Sequence, residues 1–168
     1  MNKVMVVGSG LMGTGISQTC AQAGFDVTLV DVRQDFLDRS KQNLTAQLAK
    51  LVKKEKITQE KADAILANIH YTLDMNQGKN AEIVIEAVPE NMDLKRSVFE
   101  KIDAVCGESD SIIATNTSTL SIAALSSATK RPQRCIGLHF FIPAPVMKLV
   151  EIIPSLNTDA AVVERMQK

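Results

Sequence analysis

Gly8, Gly10 and Gly13 stand in the spacing G-x-G-x-x-G, directly after the apolar run Val4-Met5-Val6-Val7. That spacing suits phosphate binding. The first glycine permits a tight turn, the second lets a pyrophosphate approach the backbone, and the third lets a helix pack close to the strand. Leu11 and Met12 fill the rest of the loop and belong to the same candidate site. The helix that follows would offer unpaired N–H groups to an anion. Asp31 ends the next strand-like run, where a carboxylate can accept from the adenosine ribose hydroxyls and repel a 2′-phosphate. NAD is therefore favoured over NADP, although Arg33 close by has the chemistry to hold a 2′-phosphate. The competing reading is a ligand-free turn with a solvated acid at its edge. A second signal comes late in the chain. His139 sits at a strand end, and Glu151 lies on the following strand beyond Pro143-Ala144-Pro145. Imidazole, with an ordinary pKa of about 6.5, suits proton exchange with an alcohol that gains or loses hydride. A hairpin-like return can set Glu151 against the ring; a core histidine bonded to backbone is the alternative.

These residues need a scaffold, and the hydrophobic pattern supplies one. Strands are predicted over Lys3–Val7, Val27–Val30, Ile69–Thr72, Ile83–Ile85, Ile112–Ala114, Cys135–Phe140 and Leu149–Ile153. Between them lie a helix to about Ala23, a long amphipathic helix over Gln34–Leu51, and a helix capped by Thr58 that runs to about Ala67. A further helix spans Met92–Val105, with Leu94, Val98, Phe99 and Ile102 on its apolar side. Thr158 is expected to cap a last helix that is still running at Lys168. Strands alternating with helices predict an α/β fold of Rossmann type, a doubly wound and mostly parallel sheet with helices on both faces. Residues 1–168 form one dinucleotide-binding domain, and the interrupted last helix suggests a piece of something longer.

Composition narrows the partners. Nineteen Lys and Arg balance nineteen Asp and Glu in 168 residues. This zero net charge argues against nucleic acid and against an anionic membrane surface. No apolar run reaches membrane-span length, and the chain enters a strand at once, with no signal peptide. Cys20, Cys106 and Cys135 form no C-x-x-C pair and sit in apolar surroundings. They read as buried reduced thiols of a cytoplasmic protein, with no metal site.

Four stretches resemble the 3-hydroxyacyl-CoA dehydrogenases. They are Gly8-Ser9-Gly10-Leu11-Met12-Gly13-Thr14-Gly15-Ile16, Val84-Ile85-Glu86-Ala87, Asn116-Thr117-Ser118-Thr119-Leu120-Ser121-Ile122, and the run from Gly137-Leu138-His139-Phe140-Phe141 through Pro143-Ala144-Pro145-Val146-Met147-Lys148-Leu149-Val150-Glu151. The likeness spans essentially the whole chain and is nearest to bacterial enzymes acting on 3-hydroxybutyryl-CoA. It implies interconversion of acetoacetyl-CoA and (S)-3-hydroxybutyryl-CoA with NAD(H). In that scheme His139 is the acid/base, Glu151 orients it, and Ser118 hydrogen-bonds the substrate oxygen, with Asn116 shaping the pocket. Glu90 and Lys95 match positions on the nicotinamide-ribose side. The cluster Lys50, Lys53, Lys54 and Lys56 falls where the family meets the coenzyme A phosphates, with Lys50 and Lys54 the best placed. Each also has a plain structural reading: turn bonding for Ser118 and Asn116, a helix dipole for Glu90, solvated helix ends for the lysines.

Two departures are visible. The family carries Asn where this chain has Ile142, and its all-helical C-terminal domain, which supplies dimerisation and much of the acyl pocket, is not in this chain. A homo-oligomer is thus expected of the complete enzyme. A dehydrogenase of a non-CoA 3-hydroxy acid and a non-catalytic NAD-binding module both stay open.

Overall fold

In the computed structural model, which describes residues 2–107 and 109–167, strands and helices alternate along the chain. The strands are β1 (Lys3–Val7), β2 (Asp26–Val30), β3 (Ile69–Thr72), β4 (Ile83–Glu86), β5 (Ile112–Thr115), β6 (Cys135–Phe140) and β7 (Val150–Pro154). The helices are α1 (Leu11–Gln22), α2 (Gln34–Lys53), α3 (Gln59–Ala67), α4 (Met92–Cys106), α5 (Ile122–Ser126) and α6 (Ala160–Met166). One sheet forms in the order β3-β2-β1-β4-β5-β6-β7. Every neighbouring pair is parallel except β6 with β7. This is the predicted Rossmann-type, doubly wound architecture.

The central strands β1, β4 and β5 are largely apolar and buried because both of their faces are covered, and side chains alternate between those faces. Val4 and Val6 of β1 join a core with Ile16 of α1, Leu37, Leu44 and Leu48 of α2 and Val162 of α6. Met5 and Val7 point the other way, to Val98, Phe99 and Ile102 of α4 and Leu125 of α5. The chain reverses direction across the sheet between β1 and β4, and the carboxyl ends of the strands open there into a cleft. Open α/β sheets bind their ligands at that switch point.

Three expectations need correction. Leu94 does not share the buried side of α4; it is 41% exposed, and Lys95 takes the inward position at 1%. Thr158 does not cap α6. The N-cap is Asp159, and the Thr158 hydroxyl donates to the Cys135 carbonyl at 2.7 Å. Nor does the last helix run on to the end: α6 closes at Met166 with Gln167 as its C-cap, and Lys168 lies outside the described residues. Thr58 does cap α3, accepting from the Lys61 amide at 3.2 Å.

Candidate active site

The cleft holds about 1430 Å³ and runs from the glycine loop to the β6–β7 turn. Its floor is set by close backbone approach. Gly8 takes a φ of +103°, and a Cβ there would stand 2.8 Å from the Ala87 carbonyl oxygen. A Cβ on Gly13 would lie 1.7 Å from the Gly8 carbonyl oxygen, so α1 seats directly on the loop. Gly10, the N-cap of α1, has nothing within 4 Å of a Cβ, and no side chain caps the helix. The first-turn N–H groups of α1 thus face open space sized for a phosphate. This cradle fits a dinucleotide.

Asp31 is already organised at the edge of that cradle. Its Oδ2 accepts from the Ser9 amide and the Ser9 hydroxyl, both at 2.6 Å, and its Oδ1 accepts from the Val32 amide at 2.7 Å. The Thr14 hydroxyl donates to the Ser9 carbonyl at 3.0 Å, so its 2.7 Å contact with Ser40 must be donated by Ser40. Arg33 is drawn off elsewhere. Its guanidinium makes a two-point pair with Asp35 at 2.9 and 2.8 Å and lies over the Phe36 ring.

Across the cleft, charge is buried. Glu86 ends β4 with no exposure, and Lys95 reaches it from α4 at 2.7 Å. The Lys95 ammonium also donates to the Val88 carbonyl at 3.1 Å and pairs by charge with Glu90 Oε2 at 3.3 Å. Glu86 accepts further from the Val88 amide and from the hydroxyl of Thr115, its neighbour on β5, each at 2.7 Å. Glu90 stands one residue before Asn91, the N-cap of α4. Its Oε1 accepts from Thr117, in a short hydrogen bond, and from Thr119 at 3.1 Å. Burial works against the Glu90 charge, but the Thr117 hydrogen bond and the Lys95 ammonium outweigh it and hold the carboxyl below its ordinary range. Glu86 and the two threonines carried no role in the sequence reading. A charged residue closing the apolar run Ile83-Val84-Ile85 was the available signal.

Ser118 lies exposed in the cleft between those threonines, and its hydroxyl has no partner among the described residues. Asn116, two residues earlier, accepts at Oδ1 from the Phe140 amide at 2.9 Å and so ties this turn to β6. His139 follows on β6, directly opposite Glu151 in the antiparallel register with β7. Its Nδ1 lies 2.8 Å from Glu151 Oε2. A carboxylate accepts there, so Nδ1 carries the hydrogen and the lone pair falls on Nε2. The Phe141 ring packs 4.8 Å from the imidazole. Ile142, 64% exposed, lines the same end of the cleft.

The lysine cluster lies apart. The cleft-facing residues of α2 are Phe36, Arg39, Ser40, Asn43 and Gln47, and Lys50, Lys53, Lys54 and Lys56 stand exposed beyond them. The three cysteines are free and buried. Burial pushes the Cys20 thiol up to about 12 and Cys135 to about 11, which suppresses thiolate chemistry. Among the described residues no group of three His, Cys, Asp or Glu is placed to hold a metal ion, and no helix is long and apolar enough to cross a membrane.

A family model described as 3-hydroxyacyl-CoA dehydrogenase, NAD binding domain, matches residues 3–168. A 3-hydroxybutyryl-CoA dehydrogenase of Clostridioides difficile is 45% identical over 90% of this chain and 53% of its own length. A probable 3-hydroxybutyryl-CoA dehydrogenase of Bacillus subtilis is 41% identical over 94% of this chain and 55% of its own. The crystal structure of (S)-3-hydroxybutyryl-CoA dehydrogenase from Ralstonia eutropha superposes with a TM-score of 0.96 at 40% identity, covering 99% of this chain and 59% of that one. The chain therefore spans little more than half the length of these relatives.

Proposed function

Since this chain belongs to the 3-hydroxyacyl-CoA dehydrogenase family and is its NAD-binding domain, we propose that it serves the interconversion of (S)-3-hydroxybutyryl-CoA and acetoacetyl-CoA. The observation that carries this reading is the His139–Glu151 pair opening onto the same cleft as the glycine loop. NAD, when bound, would supply the acceptor or donor of hydride, and this chain's residues would hold it and move the proton.

Gly8, Gly10, Leu11 and Met12 line the cleft and would receive the pyrophosphate, Gly13 serves from beneath by letting α1 pack against the loop, and Asp31 would take the adenosine ribose hydroxyls. Glu90, held by Lys95, faces the nicotinamide ribose, with Asn116 fixing the neighbouring turn. Ser118 donates to the substrate oxygen. In the oxidative direction His139 Nε2 takes the hydroxyl proton as the C–H hydride leaves; in reduction it returns that proton. Glu151 keeps the imidazole in the tautomer that leaves the lone pair on Nε2. Lys50 in the last turn of α2 and Lys54, its C-cap, would pair with phosphates of a coenzyme A thioester. The acyl pocket and the expected homo-oligomer belong to the complete enzyme, in a cytoplasm that keeps thiols reduced.

The test is a titration of this chain with NADH and NADPH, and an assay of NADH oxidation on acetoacetyl-CoA in a polypeptide of the relatives' full length, the isolated domain being expected to bind cofactor but to be nearly inactive. The reading expects tighter NADH binding and a turnover that His139→Gln removes. Tight NADH binding with no turnover on any 3-oxoacyl-CoA, in a polypeptide of the relatives' full length, would leave a non-catalytic NAD-binding module.

A further inference from the structure

We infer that Thr117 and Thr119, both bonded to Glu90 Oε1, are positioning residues that hold the turn presenting Ser118. This rests on the proposed role of Ser118 at the substrate oxygen.

The argument follows the protons. The Thr117 hydroxyl accepts from the Leu120 amide at 3.0 Å and from the Thr119 amide at 3.4 Å. Both lone pairs are taken, so its single hydrogen goes to Glu90. Thr119 directs its own hydroxyl to the same oxygen, and Ser118 is caught between them. Glu90 is in turn fixed from below by Lys95, whose ammonium is anchored on buried Glu86. Lys95 is almost fully buried, donates to Glu86 and to the Val88 carbonyl, and pairs with Glu90 by charge, so it acts by placing Glu90. On the far side, Thr115 bonds Glu86 and accepts from the Thr117 amide at 3.2 Å. The turn is thus tied at both ends to one buried charge, while, of its hydroxyls, that of Ser118 is left for a ligand. A serine that must meet a reacting oxygen gains from such a frame, because a misplacement of about 1 Å can cost a hundredfold in rate.

The experiment compares Thr119→Val, Thr119→Ser and Thr117→Val with the parent sequence, each in a polypeptide of the relatives' full length that carries the acyl pocket. Thr119 is on the surface, so its valine variant keeps the fold even if Thr117→Val does not. Three readouts are taken: NADH affinity, amide hydrogen exchange at Leu120, and turnover with and without Ser118→Ala. Thr119→Val should leave NADH affinity within about twofold. It should speed Leu120 exchange by about tenfold and lower turnover by about tenfold, and serine at 119 should restore both. In the Ser118→Ala background the turnover effect should vanish, since the serine being positioned is gone. Unchanged Leu120 exchange in Thr119→Val overturns the inference, as do turnover losses that simply multiply. Absence of any 3-oxoacyl-CoA turnover removes the proposed function instead, and the exchange measurement still decides the clamp.

Discussion

His139 of β6 and Glu151 of β7 face each other across the one antiparallel step of the sheet, Nδ1 to Oε2 at 2.8 Å. An antiparallel register fixes that distance through the backbone, so the pair is set by the strands and needs no loop to assemble it. His139→Gln should cut turnover by about two to four orders of magnitude, the usual weight of general acid–base catalysis, with NADH affinity kept. Glu151→Gln also offers an N–H toward Nδ1, which favours the wrong tautomer, and should cost a large part of the same factor. Steady-state rates beside NADH titrations check both; an unchanged rate in His139→Gln would sink the mechanism.

Cofactor choice rests on Asp31. Its carboxylate is held by Ser9 and Val32, and Arg33 is committed to Asp35. Hydrogen bonds to a charged group contribute about 1.5–3 kcal/mol, so Asp31→Ala should weaken NADH by about tenfold to a hundredfold. NADPH should change far less, because the same substitution removes a repulsion. Calorimetric titration of both cofactors tests this, and a preserved NADH preference would shift the role to another residue.

How far the sequence shows these features depends on the signal. The glycine loop was legible because its spacing sat between an apolar run and a helix, and Asp31 because it closed the next run. Two strands separated by one proline-rich turn allowed the His139–Glu151 pair, and the resemblance to the 3-hydroxyacyl-CoA dehydrogenases implied it. The buried charges were not legible from hydrophobic pattern alone. Lys95 stands at helical spacing with Val98, Phe99 and Ile102, in the stripe facing the core. A pattern based on polarity puts Leu94 there instead and turns α4 by one residue. Burying a lysine is costly unless its hydrogens all find acceptors, and those acceptors come from β4 and the loop after it, which no local window contains. Helix α5, only Ile122–Ser126, is too short for periodicity to reveal.

Lys95 and Glu86 should therefore matter for stability. Removing one partner of a buried pair leaves the other uncompensated and costs about 3–5 kcal/mol. Lys95→Met is expected to lose stability of that order in urea unfolding. The double variant Lys95→Met with Glu86→Gln should recover part of it, because neither charge then remains. A loss below about 1 kcal/mol in the single variant would show that water reaches Glu86 and that the pair is not a buried anchor.

Acid should act on the Glu90 network. Thr117 and Lys95 hold the Glu90 carboxyl below its ordinary range despite the opposing effect of burial. A depressed folded value means that the folded chain gives up this proton more readily than the unfolded one. Its contribution is full above the unfolded carboxylate range and fades as pH falls through the lowered folded value. Wild type should then exceed Glu90→Gln in urea midpoint near neutrality, and the gap should close on acidification. Asp35, Asp74 and Glu82 are lowered too, so the difference between variants is the informative quantity. A gap that stays constant through the acid range would mean that the Glu90 charge contributes nothing.

The glycine loop allows binding to be separated from folding. At Gly13 a methyl group would sit 1.7 Å from the Gly8 carbonyl oxygen, a backbone atom that cannot move without lifting α1 from β1. At Gly10 a methyl group meets nothing within 4 Å, and the N-cap φ of −65° suits any residue. Gly13→Ala should accordingly unfold or strongly destabilise the chain, a loss in the upper range for overpacked cores, about 3 kcal/mol or more. Gly10→Ala should leave the urea midpoint nearly unchanged. It should nevertheless weaken NADH binding, because the space it fills is the space a pyrophosphate needs beside the α1 N–H groups. The two variants thus move opposite observables if the cleft is the dinucleotide site. NADH affinity untouched in Gly10→Ala, with the fold intact, would mean that the phosphates lie elsewhere and that the loop serves only to pack α1 on the sheet.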